Sequence, residues 1–536
     1  MQVGEHQGRV IRLLGFLLLC LYFSYIGWMV IRLSWLDGLA SIADDSVNYL
    51  VMARYLSPWV PASEAVLAAW PLQNFPPLLP LVLAWTGAAN SMQFSHSLIS
   101  FLALASLIPL YGFAHKLLNS KADATMLLVV IVALPGALLG MQGILSEPLF
   151  LFLTTCFIWL NLRPETKGGL VREVGWKMVF ACLLLAAVML TRSIGYVMWL
   201  ATLAVILVNR IKGQPIGGSW VVPVGSGVVF FAVMAIIGLE RESHYFAVLS
   251  SFLSGDDPTG ISTGGFDALR QVGFVVDGWR SYLLIYWFDG ATMGNVVSLI
   301  ALFFSVVGLV YRLKENALDG YYVLGYVILL LIWPHPGQMV RFFFPLAPFL
   351  VIYAALGARI LFTKSRKLSV WTPPVLLLMV LAVSLPSHGY MRDRLERAKE
   401  LGMQPIHEWF RQVDLGLARR ELVVQNQMLS AFEEIGRNEP GTMKIAYYEP
   451  TYIAVLSHQI GITLPFPFDE NDIRTLASRG VEYVLLTEIH PRKTRLGISG
   501  MAGYPLLETK YAKVGESLSG DRPVVALFDI RVSATH

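Results

Sequence analysis

Long uncharged apolar runs separated by short charged connectors dominate the first 385 residues. The first run, Leu13 to Ile31, lies between Arg12 and Arg32 and contains no Asp, Glu, Lys or Arg. Five more follow at Phe94–Ala114, Ala124–Gly143, Pro148–Leu162, Met178–Thr191 and Ile194–Asn209. Another five lie at Trp220–Leu239, Asn295–Tyr311, Tyr321–Trp333, Phe342–Ala358 and Leu368–Leu385. A helix needs about 20 apolar residues to cross the hydrocarbon core, where each backbone polar group has to be bonded inside the segment. The pattern therefore predicts an α-helical polytopic membrane protein of about 11 spans. The first run is long for a signal-peptide core and no small-x-small site follows it, so it reads as a retained span.

The segment Phe75–Ala89 is apolar but short, and it opens on a cluster of prolines. The positive-inside rule decides its role. If it does not cross, the cytoplasmic connectors hold His115, Lys116 and Lys121, then Arg163, Lys167, Arg172 and Lys177, then Arg210 and Lys212. Arg312, Lys314, Arg359, Lys364, Arg366 and Lys367 fall on the same side. If it crosses, nearly all of these cations move outside. The segment therefore reads as an interfacial or re-entrant helix, with the N-terminus cytoplasmic and the C-terminus outside. This topology puts loops 33–93 and 240–293 and the whole tail on the outer face. Residues 1–387 form the membrane domain and 388–536 a second, extracytoplasmic domain. In the tail, Met443–Tyr448, Ile462–Leu464, Val481–Leu486 and Val524–Ile530 read as strands, with helices at Thr451–His458 and Asp469–Arg479. Strands alternating with helices predict a small α/β sheet.

Composition agrees with a membrane assignment. The chain is 55% hydrophobic and 15% charged, against about 25% charged in soluble domains. Disorder, collagen-like repeats and a disulfide scaffold are excluded, and a net charge of +4 gives no basis for nucleic-acid binding. Cys20, Cys156 and Cys182 all sit in apolar runs and read as small hydrophobes.

Against this background the charges at predicted outer helix ends stand out. Asp44 and Asp45 open a segment in which Tyr49, Met52, Ala53 and Leu56 recur at helical spacing. One Asp suffices to cap a helix; the second suits a general base or a metal ligand. Glu147, in Ser146-Glu147-Pro148, is the one charge between Asp123 and Arg163. It fits a helix start, and it equally fits an acid facing a cavity or a partner. Arg192 and Arg341 lie at helix ends on the side that the charge rule disfavours. Both suit the bidentate grip of a phosphate, and a salt bridge to Glu147 or Asp44 is the competing reading. His335 has no second ligand at metal spacing, so it reads as capping or interfacial.

In this order and sidedness the chain resembles the GT-C fold glycosyltransferases, in particular the bacterial branch related to protein O-mannosyltransferases and the aminoarabinose transferases of lipid A. The resemblance runs from about Asp37 to Leu361 and rests on five stretches of the sequence. These are Asp44, Asp45 and Tyr49; the interfacial Asn74-Phe75-Pro76-Pro77; Ser146-Glu147-Pro148-Leu149-Phe150; Thr191-Arg192 with Gly195; and Arg341-Phe342-Phe343-Phe344-Pro345. It implies a polyprenyl-phosphate-linked monosaccharide as donor and inverting transfer at the outer face of the bacterial cytoplasmic membrane. The acceptor is a protein, lipid or glycan hydroxyl. By position, Asp44 or Asp45 is the implied base, Arg341 and Arg192 hold the leaving phosphate, and Glu147 lies near the acceptor or a metal. Metal dependence stays open: the acids are suited to act with or without a divalent cation. The aminoarabinose transferases have an acid and a lysine where this chain has Asn74 and Phe75, so that lysine's phosphate contacts and that sugar are not carried over.

A transporter or flippase of a lipid-linked glycan is the rival reading, with a polymerase or ligase next to it. Transporters place ionisable residues near the bilayer midplane on broken helices. Here the runs are nearly free of charge in their middles, which favours an enzyme.

Overall fold

A computed structural model describes residues 17, 20–32, 44–72, 75–161, 175–214, 219–237, 268–284, 292–333, 338–362, 374–382, 429–438, 442–465, 469–487, 513–514 and 523–531. In chain order the helices are α1 (Asp44–Tyr55), α2 (Glu64–Ala69), α3 (Leu78–Trp85), α4 (Met92–Ala105), α5 (Leu107–Leu118), α6 (Lys121–Ala133), α7 (Pro135–Gly140) and α8 (Glu147–Asn161). Next come α9 (Trp176–Thr191), α10 (Tyr196–Ile211), α11 (Val221–Ile237), α12 (Ala268–Leu283), α13 (Thr292–Lys314), α14 (Leu318–Leu331) and α15 (Met339–Leu361). The C-terminal region contributes β1 (Lys444–Tyr447), α16 (Pro450–Tyr452), a π-helical turn (Ile453–Ser457) and β2 (Ile460–Thr463). It ends with α17 (Glu470–Ser478), β3 (Tyr483–Thr487), β4 (Lys513–Val514) and β5 (Pro523–Asp529).

Among the described residues four stretches are long and apolar enough to cross a bilayer: Met92–Leu118, Ser193–Ile211, Gly294–Lys314 and Met339–Leu361. Helices α8, α9, α11 and α14 are apolar but shorter. The chain divides into two compact units. The first holds Met1–Arg32, Ile99–Gln142 and Ser146–Leu395; the second holds Leu33–Leu98, Gly143–Leu145 and Glu396–His536. The 33–98 loop thus folds with the C-terminal region.

In the first unit the sequence pattern is modified in two places. The expected span Ala124–Gly143 is broken: Leu134 is extended (φ −62, ψ 134) and Pro135 starts a new short helix. A proline cannot donate into the preceding turn, and the residue before it is pushed out of the α region. The loop 240–293, expected to be wet, contains α12, which buries Trp279, Tyr282 and Leu283 while exposing Leu269 and Val272. Its apolar residues recur every three or four positions between charges, too few for a span and enough for a packed surface helix.

The broadest helix contact among the described residues joins α13 and α15. It is possible because glycines meet there: a Cβ on Gly308 would lie 2.2 Å from the Tyr353 carbonyl oxygen, and one on Gly357 would lie 2.1 Å from that of Phe304. Backbones that touch let the Ser305 hydroxyl donate to the Leu350 carbonyl at 2.8 Å. Small residues at a crossing are how apolar helices associate where lipid removes the hydrophobic drive.

In the second unit α1 begins at Asp44, as the acidic pair predicts. Its burial is not a stripe: Val47 and the whole block Tyr49–Ala53 are enclosed. Helices α2 and α3, α16 and the π-turn all pack on it. Tyr49 meets Phe75 edge-on at 5.1 Å, and Tyr55 stacks on Trp70 at 4.0 Å. At eight residues, α3 extends about 12 Å, too short to cross. The sheet order is β2-β1-β3-β5-β4, with β1 parallel to both β2 and β3 and β5 antiparallel to its neighbours. The strands expected from sequence at 443–448, 462–464, 481–486 and 524–530 correspond to β1, β2, β3 and β5; the two-residue β4 gives no sequence signal. Asp469 caps α17 in a capping box with Asp472, as its Asp-x-x-Asp spacing allows. Most of the charge-dense stretch Met391–Arg437 lies outside the described residues.

Two measurements test these packing accounts. Gly357→Ala is expected to destabilise the protein by about 1–3 kcal/mol through overpacking. Gly227→Ala, where a Cβ meets nothing within 4 Å, serves as the neutral control in the same detergent-solubilised thermal melts. Equal melting shifts for the two would refute the touching-backbone crossing. In the second unit, burial and then the neighbouring Arg54 charge hold the His458 imidazole below the usual histidine range. Folding therefore releases a proton there, so this contribution is complete above the unfolded value of about 6.5 and is lost as pH falls through the folded one. His458 is also left-handed (φ 57), a conformation that Asn tolerates. His458→Asn is thus expected to flatten the fall in melting temperature between pH 7 and 5, and an unchanged slope would refute this.

Candidate active site

Three helix ends of the first unit bring their charges together. Helix α8 starts at Glu147, and the Phe150 amide donates to the Ser146 carbonyl at 2.9 Å. Helix α9 stops at Thr191; Arg192 is extended (φ −152, ψ 147) and leads into the Ser193–Gly195 turn. This reversal depends on Gly195, where a Cβ would sit 2.4 Å from the Val188 carbonyl oxygen. Helix α15 begins at Met339, which puts Arg341 in its first turn.

The Glu147 carboxylate is 1% exposed, and its Oε1 receives both guanidinium groups. Arg192 lies 2.5 Å from it, and Arg341 donates to the same oxygen through Nε. Arg192 also donates to the Ser146 hydroxyl at 3.2 Å and lies over the Phe342 ring, 5.3 Å from its centroid. Tyr326 of α14 donates to the Phe342 carbonyl at 2.9 Å, which ties down the first turn of α15. The other carboxylate oxygen, Oε2, is buried with no hydrogen-bond partner among the described residues.

Among the described residues the cluster gathers one acid and two guanidiniums. The first turns of α8 and α15 add the positive ends of two helix dipoles. Arg192 and Arg341 are only 11% and 15% exposed, so their guanidiniums sit in low dielectric, where an anion is attracted far more strongly than in water. The arrangement is suited to binding an anionic group and to stabilising negative charge that develops on it. The competing reading of the arginines, a salt bridge to Glu147, is observed.

A second ionic cluster, which the sequence did not single out, joins α13 and α14 to a point farther along α15. Arg312 grips Asp319 through Nε at 2.9 Å and a terminal nitrogen at 2.6 Å, and Tyr353 donates to Asp319 at 2.5 Å. Tyr353 is 12 residues beyond Arg341 on α15, about 18 Å along the axis. Asp319 falls just ahead of an apolar run, where it reads as a connector residue; only its burial reveals it. Arg359 pairs with Asp123 at 2.6 Å nearby in sequence to that end of α15.

The other expected site residues belong to the second unit or lie outside the described residues. Asp44 and Asp45 are the first two residues of α1 in the second unit; Asp45 is half-buried and Tyr49 buried. Asn74 and His335 lie outside the described residues, as does the Asp44 side chain. No group of three or more His, Cys, Asp and Glu placed to hold a metal occurs among the described residues. Arg54, at the end of α1, was missed by sequence reasoning because a lone Arg closing a helix looks like an ordinary terminal cation.

Charge counting gives a stability test. Glu147→Gln leaves two buried guanidiniums facing each other and is expected to cost about 3–5 kcal/mol. Arg192→Met or Arg341→Met leaves a matched pair and is expected to cost clearly less. Chemical denaturation of the three variants checks the order; a Glu147→Gln variant as stable as either arginine variant would show that the carboxylate does not hold the cluster.

No protein-family profile matches the sequence, and no curated protein matches it. Solved structures do. The crystal structure of ArnT from Cupriavidus metallidurans bound to undecaprenyl phosphate aligns with a TM-score of 0.56 at 12% identity, over 96% of this chain and 98% of that one. The same protein in the apo state aligns with a TM-score of 0.54, also at 12% identity, over 96% and 98% of the two chains. The archaeal oligosaccharyltransferase AglB from Archaeoglobus fulgidus aligns with a TM-score of 0.47 at 13% identity, over 88% and 69%. In fold, then, the chain is similar to the GT-C membrane proteins, apolar helices and small sheet together.

Proposed function

We propose that this protein is a membrane glycosyltransferase that moves a monosaccharide from a polyprenyl-phosphate carrier to an acceptor hydroxyl, with inversion at the anomeric carbon. The observation that carries the reading is the buried convergence of two guanidiniums, Arg192 and Arg341, on Glu147 at three helix ends. The likeness in fold to a protein crystallised with undecaprenyl phosphate supports it.

In this reading the acceptor oxygen attacks the anomeric carbon as the bond from that carbon to the phosphate oxygen breaks. Negative charge collects on the departing lipid phosphate, where Arg341 and Arg192 meet it without reorganising, because Glu147 already holds both in place. Asp44 or Asp45 accepts the acceptor's proton. Glu147 is an anchor for the arginines, and its open Oε2 is free to accept from a hydroxyl of donor or acceptor. A divalent cation is better suited to the α1 acids than to Glu147, whose charge is already matched by two guanidiniums.

The proposed setting is a bacterial cytoplasmic membrane crossed about eleven times, with the N-terminus inside, residues 388–536 outside and transfer at the outer face. Partners are the lipid-linked donor, membrane lipids and an acceptor protein, lipid or glycan.

Transfer from radiolabelled polyprenyl-phosphate sugars by the purified protein tests the reading. Arg341→Ala is expected to lower turnover by about 10²–10³-fold while folded protein is retained. One of Asp44→Asn and Asp45→Asn, made singly, is expected to lose about 10²–10⁴-fold. Normal transfer by both Asp variants would remove the general-base assignment. Carrier-lipid binding without transfer by the unaltered protein would favour a transporter.

A further inference from the structure

Arg54 closes α1, the helix that Asp44 and Asp45 open. Its side chain is drawn out of water, and burial pushes the guanidinium below its usual range. Nε donates to the Ala89 carbonyl at 3.2 Å and a terminal nitrogen donates to the Val455 carbonyl at 2.9 Å. These acceptors lie 35 and 401 positions away in sequence, in the Ala88–Asn90 turn and in the π-helical turn Ile453–Ser457. Among the described residues no carboxylate pairs with Arg54. Among the described residues its charge is met by carbonyl dipoles of the two short helical turns.

A guanidinium withdrawn from water without a counter-ion is a poor way to gain stability; an apolar side chain of similar size does that at lower cost. What the guanidinium adds is direction, because its planar fork fixes two acceptors at once. Helix α1 needs direction. It is enclosed at Val47 and throughout Tyr49–Ala53, and Asp45 and Asn48 are only half-exposed, so a narrow wet edge sets its roll weakly, as does apolar contact alone. A helix of 12 residues is stiff: fixing the roll at Arg54 fixes it at the acids, about 15 Å away.

We infer that Arg54 is a positioning residue that seats the acid-bearing helix on the C-terminal α/β region, making that region part of the catalytic apparatus. This inference rests on the proposed role of Asp44 or Asp45 as the base. Displacing a reacting group by about 1 Å costs on the order of a hundredfold in rate, so a loosened seat is read in turnover and not in donor binding.

The test uses the full-length protein in lipid nanodiscs, with Arg54→Met and Arg54→Lys. Turnover and KM for the polyprenyl-phosphate sugar are measured alongside hydrogen exchange of peptides covering 44–53 and 147–161. Arg54→Met is expected to lower kcat by about a hundredfold with donor KM little changed. Exchange should rise in 44–53 and stay as in the unaltered protein in 147–161. Arg54→Lys keeps the charge and loses the fork, so it should show the same split of kcat from KM at smaller size. It also decides the matter if Arg54→Met does not fold. Unchanged kcat in Arg54→Lys, unchanged exchange at 44–53, or kcat and folded fraction falling together in both variants would overturn the inference. Loosened exchange at 44–53 combined with no transfer even by the unaltered protein would support the seat and sink the transferase reading instead.

Discussion

A single carboxylate oxygen organises the first unit. Glu147 Oε1 receives two guanidiniums from helix ends that lie 45 and 194 residues away in sequence, all largely withdrawn from water. In that environment none of the three charges is stable by itself. Each requires the others, so the ends of α8, α9 and α15 are held together by the cost of separating them. The same constraint orients the two guanidiniums in advance, and preorganised charge of this kind needs no rearrangement to meet an anion.

The second unit solves a related problem with hydrogen bonds. Its sheet is ordinary in its chemistry: Ile473, Leu476, Val484, Leu486, Ala526 and Phe528 form a common apolar core, and β1 is flanked by parallel neighbours. The distinctive element is α1, which comes from the 33–98 loop and packs on α16 and the π-turn of the C-terminal region. A π-helical turn leaves its carbonyls out of the usual register, and such turns recur at functional sites. Here one of those carbonyls accepts from Arg54.

Much of this was readable in the residues. Uncharged runs located α8, α9, α10, α11, α13, α14 and α15, since backbone satisfaction in lipid imposes length and apolarity on the segment itself. Glu147, Arg192 and Arg341 were conspicuous as charges where charge is costly, and the structure gathers them. Other features depend on distant partners and leave no local trace. Asp319 looks like a loop acid until Arg312 and Tyr353 enclose it. Arg54 looks like a terminal cation until its two carbonyls, supplied from opposite ends of the chain, are seen. The break at Leu134 was signalled by Pro135, but hydropathy averaged across a window hides a single proline. The α12 helix was obscured because its charges suggest a wet loop, whereas its C-terminal half buries Trp279, Tyr282 and Leu283.

The Arg312–Asp319 and Arg359–Asp123 pairs have a bearing on biogenesis. Orientation of a nascent membrane chain is read from Lys and Arg near the ends of its apolar segments, with acidic residues contributing little. In the proposed orientation, with both connectors cytoplasmic, Arg312 and Arg359 would act as retention signals at full charge during insertion, whatever acid they later meet. Once the helices close, the same guanidiniums are neutralised and become mortar between them. One pair of side chains thus serves two successive tasks, first as an address and then as a joint, and a lysine substituted at either place would preserve the address better than the joint.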